Sequence, residues 1–245
     1  MTNITSFADM IVSNLELLGD PKRAECETKY YKGTINCLGT GLPSLQKLEK
    51  QMCRGLEKKM SVDEVMKLCD VLLEKRIFEV TLFAFTFLVR FADRLGESEL
   101  LRCEKWLEDD LCDNWAATDH LCPHVVGIIL ENHPRLAMRV QAWADSKNRW
   151  VKRASAVSFI LLLRKGMFLD TAYTIAKTLF SDKENDLVQK GNGWMLREAG
   201  TTDPDRLERF LLIYGPNIPR TTLRYAIEKY PAEKRSELLM KTKKR

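Results

Sequence analysis

Along most of the chain apolar residues recur at i, i+3, i+4 and i+7, the repeat of one helix face, and alternating apolar and polar runs bounded by hairpin dipeptides are missing. Leu45, Leu48, Met52 and Leu56 make one such face. It resumes after Ser61 with Val62, Val65, Leu68, Cys69 and Leu72, and Ser61 with Glu64 has capping-box spacing, which predicts a helix start there. The most apolar window, Ile77 to Leu95, is interrupted by Glu79, Arg90 and Asp93, so a buried helix is expected and not a membrane span. Breakers at Gly96, Pro123, Pro134, Gly166, Pro204, Gly215 with Pro216, and Pro219 leave helices of about 10 to 18 residues joined by short turns. The expected fold class is all-α, built from successive helical hairpins.

Repetition distinguishes a solenoid of hairpins from a bundle. Asn132-His133-Pro134 opens a helix carrying Leu136, Val140 and Trp143. A polar turn follows over Asp145-Ser146-Lys147-Asn148, and Trp150-Val151-Lys152-Arg153-Ala154 begins a second helix. The next hairpin, Phe168 to Phe180 and Asp186 to Ala199, repeats that layout. Trp150 and Trp194 fall one period apart for units of about 40 to 47 residues. The pattern reads as a right-handed superhelical solenoid of HEAT-like repeats, one domain over residues 1–245, with 241–245 expected as a disordered, solvated basic tail. The segment before Gly96 joins it on helical pattern alone.

Composition then narrows the class. The 245 residues are 45% hydrophobic and 30% charged with 12 Gly and 8 Pro, which excludes disordered, collagen-like and disulfide-framework proteins. A net charge of +5 suits a polyanionic partner and equally suits plain solubility. The 7 cysteines are odd in number and lack C-x-x-C spacing, as expected of reduced thiols in an intracellular protein, cytoplasmic or nuclear. No secretory leader pattern opens the chain.

Trp115 and Asp119 are the first chemical candidates, because residues four apart on a helix project from one side. The structural alternative makes Trp115 core and Asp119 a cap for the next turn. Repeat logic adds Arg153 and Trp194: if successive second helices line one side of a solenoid, these residues converge on a groove with Trp115 and Asp119. Their structural alternatives are a repeat-stabilising pair of Arg153 with an aspartate such as Asp145, and core packing for Trp194. Cys112, His120, Cys122 and His124 are metal-ligand types, but their spacing matches no zinc motif, so turn and core roles are expected and no metal. No Gly-x-Ser-x-Gly and no Gly-rich phosphate loop is present.

Asn114-Trp115 with Asp119, Trp150-Val151-Lys152-Arg153, and Gly193-Trp194-Met195-Leu196-Arg197-Glu198, in this order, resemble the AlkD family of HEAT-like-repeat alkylpurine DNA glycosylases. The likeness reaches upstream to Tyr30-Tyr31-Lys32-Gly33 and Leu38-Gly39-Thr40-Gly41-Leu42-Pro43, and spans Tyr30 to Gly200. It departs at Gly41, where the family carries a basic residue, and in the wording of Leu111-Cys112-Asp113.

The resemblance implies a monomeric, monofunctional glycosylase, with no cofactor, that hydrolyses the N-glycosidic bond of N3- or N7-alkylated purines in double-stranded DNA. It implies that Trp115 and Trp194 flank the deoxyribose, Asp119 faces its anomeric carbon, and Arg153 holds a phosphate or orders the site. An alkylated purine is cationic and departs neutral, so no general acid is needed, unlike ordinary glycoside hydrolysis. A carboxylate and two indole faces can stabilise the positive sugar, each ring by about 0.5 to 2 kcal/mol. Lesion detection in any sequence calls for phosphate contacts, for which Lys147, Arg149, Lys152, Arg164, Lys165, Lys190 and Arg197 are candidates. The alternative is a non-catalytic HEAT-repeat module that binds branched or distorted nucleic acid, or a protein partner. Asp119 weighs against it, since a phosphate groove has no use for an uncompensated acid.

Overall fold

In a computed structural model of the chain, residues 3–31 and 35–243 are described. Lys32 and Gly33 of the upstream signature, and Lys244 and Arg245 of the basic tail, lie outside them. The described chain is helical, as the periodicity requires. In order it forms α1 (Ile4–Leu17), α2 (Pro21–Tyr30), α3 (Leu42–Met52), α4 (Val62–Leu73), α5 (Phe78–Leu88), α6 (Glu97–Glu108), α7 (Trp115–Leu121) and α8 (Gly127–Asn132). It continues with α9 (Ala137–Ala142), α10 (Arg149–Val157), α11 (Ile160–Leu163), α12 (Leu169–Leu179), α13 (Asp186–Thr202), α14 (Pro204–Tyr214), α15 (Arg220–Ala226) and α16 (Ala232–Lys241). No helix among the described residues is long and apolar enough to cross a membrane.

Contacts divide the chain into two compact units, Met1–Ile129 and Leu130–Arg245. In the first, α4 starts at Ser61 with the full capping box: Ser61 Oγ accepts the Glu64 N–H and Glu64 accepts the Ser61 N–H. The window expected as a buried helix is α5 followed by a 3₁₀ segment to Arg94. Phe83, Phe85, Phe87 and Phe91 are fully buried there, because α5 is apolar on every side and packs against α3, α4 and α7. Two acids enter this core, each with donors to satisfy it. Glu49 takes a two-pronged bond from Arg90, Nε at 2.6 Å and Nη2 at 2.8 Å. Glu79 accepts the backbone N–H groups of Leu38, Gly39 and Thr40 at 2.9, 2.6 and 3.2 Å. Trp115 begins a helix that passes through a π turn at Cys122–Val126, where Pro123 has no N–H to give the regular ladder.

In the second unit α13 is central, packed against α10, α12, α14 and α15. Buried amides fix it to its neighbours. Gln189 Nε2 donates to the Leu179 and Asp182 carbonyls at 2.7 and 2.8 Å, closing the end of α12, and Gln189 Oε1 accepts from Thr222 of α15 at 2.6 Å. Asn192 donates to the Ala176 carbonyl at 3.2 Å. Gly193 is required by close approach: a Cβ there would lie 2.4 Å from Tyr225 Cβ and 2.7 Å from the Thr222 carbonyl oxygen.

Candidate functional site

In the first unit the site is built around the start of α7. The Asn114 side chain accepts the Ala117 N–H at 2.9 Å, which caps the helix and sets Trp115 as its first residue. Trp115 and Asp119 follow one turn apart, and both are half-buried. Asp119 lies within the helix. Tyr31, just past α2, stacks on Trp115 with ring centroids 5.3 Å apart and planes at 20°. Tyr30 meets the same indole edge-on at 6.2 Å, and Phe78 backs Tyr31 at 5.2 Å. Burial pushes the Tyr31 hydroxyl up to about 12, with the negative charges of neighbours including Glu27 and Asp119 adding to it. Asp119 therefore acts within the surroundings of this aromatic cluster. Tyr31 is not among the residues that sequence singles out; its only signal is its place in the Tyr30-Tyr31 pair.

The Leu38 to Pro43 motif is a loop held by Glu79 at the start of α5. Gly39 has φ +77°, and a Cβ there would lie 2.2 Å from the Asp20 carbonyl oxygen, so no other residue fits. Gly41 precedes α3 with φ +72°, and the Arg23 guanidinium reaches within 2.6 Å of where a Cβ would stand. A positive group thus lies against the position where the resemblance calls for a basic side chain.

The metal-ligand types of the first unit have other partners. Cys112 and Cys122 are buried, and burial lifts the Cys112 thiol well above its ordinary range. His120 pairs through Nε2 with Thr86 Oγ1 at 3.2 Å and faces the His124 ring at 5.7 Å. Among the described residues, Glu27, Cys37 and Glu79 bring ligand-type atoms within 4.8 Å of one another. Glu79 is filled by backbone donors, Glu27 takes the Arg23 Nε–H at 2.7 Å, and Cys37 lies 3.3 Å from the Ala24 carbonyl oxygen.

In the second unit the candidates gather along α10 and α13. Arg153 is 5% exposed. Its guanidinium donates to the Leu187 carbonyl, and its side chain lies across Gly191, where a Cβ would be 3.2 Å from Nη1. Trp194 is half-buried and donates its indole N–H to Glu198 Oε1 at 3.2 Å. Glu198, 1% exposed, also receives Arg164 at 2.8 Å, Arg197 at 3.2 Å and Lys229 at 3.3 Å. Burial raises its pKa, but the hydrogen bond and charge of Arg164, followed by those of Lys229, outweigh that and hold the carboxyl below its usual range. Sequence marks Glu198 only as the end of a motif; the structure makes it the point where Trp194, Arg164 and Arg197 meet.

The remaining basic candidates differ in their company. Lys152 pairs with Asp182 at 3.0 Å, Lys165 with Glu131 at 2.6 Å, and Lys190 with Asp186 at 2.7 Å. Arg197 is bonded to Glu228 as well. Lys147 and Arg149 are exposed, and Arg149 lies over the Trp150 ring at 4.8 Å.

The chain belongs to the DNA alkylation repair enzyme family, whose model matches residues 11–230. The solved structure of a predicted DNA alkylation repair enzyme from Enterococcus faecalis is similar at a TM-score of 0.75 and 18% sequence identity, covering 88% of this chain and 97% of that one. No curated protein sequence matches the chain.

Proposed function

We propose that this chain removes N3- or N7-alkylated purines from double-stranded DNA by hydrolysing the N-glycosidic bond, as a monofunctional glycosylase that works without a cofactor. Family membership supports a role in repair of alkylated DNA. The observation that carries the finer reading is the pairing of Asp119 with Trp115, one turn apart on α7 and beside the ring of Tyr31. A half-buried carboxylate next to aromatic faces is suited to a positively charged sugar and poorly suited to a phosphate.

In this proposal Asp119 stabilises the oxocarbenium-like sugar and orients the attacking water. Trp115 and Trp194 offer indole faces to the deoxyribose, with Tyr31 bracing the first and Glu198 holding the second by its N–H. Arg153, 5% exposed and bonded to the Leu187 carbonyl, holds a phosphate or orders the site. Lys147 and Arg149 are the backbone contacts of first choice. Lys152, Arg164, Lys165, Lys190 and Arg197 must exchange a carboxylate for a phosphate to take part. Discrimination is partly chemical, because an unmodified purine leaves as an anion.

Single-turnover release of 7-methylguanine from a defined duplex, with duplex binding followed by anisotropy, tests this. Asp119→Asn is expected to slow release by two or more orders of magnitude while binding persists. Wild-type protein that binds the duplex but releases neither 7-methylguanine nor 3-methyladenine overturns the glycosylase reading and leaves a nucleic-acid-binding module.

A further inference from the structure

The basic residues near the proposed site mostly have carboxylates beside them, which directs attention to cations that do not. Lys177 of α12 and Arg209 of α14 are exposed, and neither has an ion-pair partner among the described residues. Both border an open cleft of about 580 Å³ between α12 and α14, on helices other than α7, α10 and α13. Three rings form its floor. Tyr173 and Phe210 have centroids 4.7 Å apart, and Phe210 and Tyr214 are 4.8 Å apart. Cations lie over two of these rings, with the Arg206 guanidinium 4.6 Å above Tyr173 and Lys177 Nζ 6.0 Å from the centre of Tyr214.

Two acids line the same cleft, but neither cancels Lys177 or Arg209. Asp203 caps α14 by accepting the Arg206 N–H at 3.0 Å. Asp170 pairs with Arg206 and is itself 93% exposed, so water competes for that pair. Beneath them Tyr173 is 5% exposed, and its hydroxyl has no hydrogen-bond partner among the described residues. A buried hydroxyl donor without an acceptor is uncommon and calls for an explanation.

We propose that the α12/α14 cleft binds a nucleoside phosphate unit, with the base against Tyr214, which buried Phe210 backs, and the phosphate on Lys177, Arg206 and Arg209. Ring faces interleaved with cations are how proteins hold single-stranded nucleic acid without reading its sequence. The cleft has the volume of a small-molecule site and its open shape admits a continuing strand. When Arg206 turns from Asp170 to the phosphate, the ligand brings an acceptor within reach of the Tyr173 hydroxyl. An acidic peptide would match the charge but makes less use of the three rings. This inference is independent of the glycosylase reading, because it uses none of its residues.

The test is fluorescence anisotropy of the full chain with a labelled single-stranded thymidine octamer. An octamer of abasic sites, thymidine monophosphate, inorganic phosphate and a glutamate octapeptide serve as competitors. The Lys177→Gln/Arg209→Gln double variant should weaken octamer binding at least tenfold and lower the slope of log affinity against log salt by about 0.7, for the one phosphate no longer neutralised. Tyr214→Leu should weaken the thymidine octamer several-fold and leave the abasic one unchanged. Lys177 and Arg209 are exposed and Tyr214 is half-buried, and an unchanged melting temperature shows that both variants fold. Competition by thymidine monophosphate identifies a free nucleotide as the occupant, and its failure to compete identifies a strand. The proposal is overturned if the double variant binds like wild type, if the abasic octamer or inorganic phosphate competes as well as the thymidine octamer, or if the peptide does.

Discussion

Trp194 donates its indole N–H to Glu198, one turn further along α13, at 3.2 Å. Because Glu198 is buried and also serves Arg164, Arg197 and Lys229, its loss should be felt both in stability and at the indole. Glu198→Ala is expected to cost about 1 to 3 kcal/mol in urea unfolding, less than a fully buried pair would, because the freed cations reach water. Glu198→Gln keeps an acceptor for Trp194 and should cost less. The carboxyl is held below its usual range in the fold, so its contribution is complete above the unfolded carboxyl pKa and is lost as pH falls through the folded value. If Glu198→Ala leaves both the stability and the Trp194 indole NMR signal unmoved, Glu198 does not organise this cluster.

Two glycines two residues apart on α13 should respond differently to a methyl group. Gly193→Ala forces a carbon to 2.4 Å from Tyr225 Cβ and 2.7 Å from the backbone of Thr222, and α13 and α15 must separate. A loss of about 2 to 3 kcal/mol is expected. For Gly191→Ala the nearest atoms are those of the Arg153 side chain, at 3.2 to 3.3 Å, and Val157 Cγ1 at 3.4 Å. There the gain in helix propensity of about 1 kcal/mol roughly offsets the small shift required. Equal losses in urea unfolding would show that α13 and α15 pack more loosely than described.

These residues show how far the sequence could be read. The all-α class, the Ser61 cap, the buried Ile77 to Leu95 segment and the hairpin of α12 and α13 follow from periodicity and capping, which act over a few residues. Trp115 and Asp119 are legible for the same reason, since both sit on one turn of α7. Tyr31 is not, because it meets Trp115 from another helix and nothing local marks that contact. Glu198 reads as part of a motif but not as an acceptor, since Arg164 and Lys229 reach it from distant parts of the chain. The ion pairs of Lys152 and Lys165 are equally hidden: a basic residue in sequence carries no sign of the acid that will face it.

The thiols should separate sharply by burial. Cys53 and Cys69 are pushed up to about 12 and Cys103 and Cys112 well above their ordinary range, in each case chiefly by burial, while Cys122 is buried too. Only Cys26 is exposed, and Cys37 is partly so. Brief treatment of the native protein with a maleimide at pH 8 should therefore label Cys26 first, Cys37 more slowly, and the other five only after unfolding. Mass spectrometry of the peptides reads the order, and early labelling at Cys112 or Cys122 would contradict the packing around α7.

A second pH effect should come from His120. His120 is lowered to about 4, mainly by burial and then by His124, whose own pKa is lowered by burial. Thr86 Oγ1 donates to the Leu82 carbonyl at 2.7 Å, so towards His120 it acts as acceptor, and the neutral ring must carry its proton on Nε2. The unfolded chain takes up a proton near pH 6.5 and the folded chain only near 4. Stability from the neutral ring is thus fully present above pH 6.5 and falls between 6.5 and 4, by at most about 3 to 4 kcal/mol from the pKa difference. Urea unfolding at pH 7, 5.5 and 4.5 should show this slope, and His120→Gln should flatten most of it while leaving the loss below pH 4.5 in place. A slope that survives the substitution would move the effect to other groups, and an Nδ1–H signal from neutral His120 would refute the Thr86 assignment.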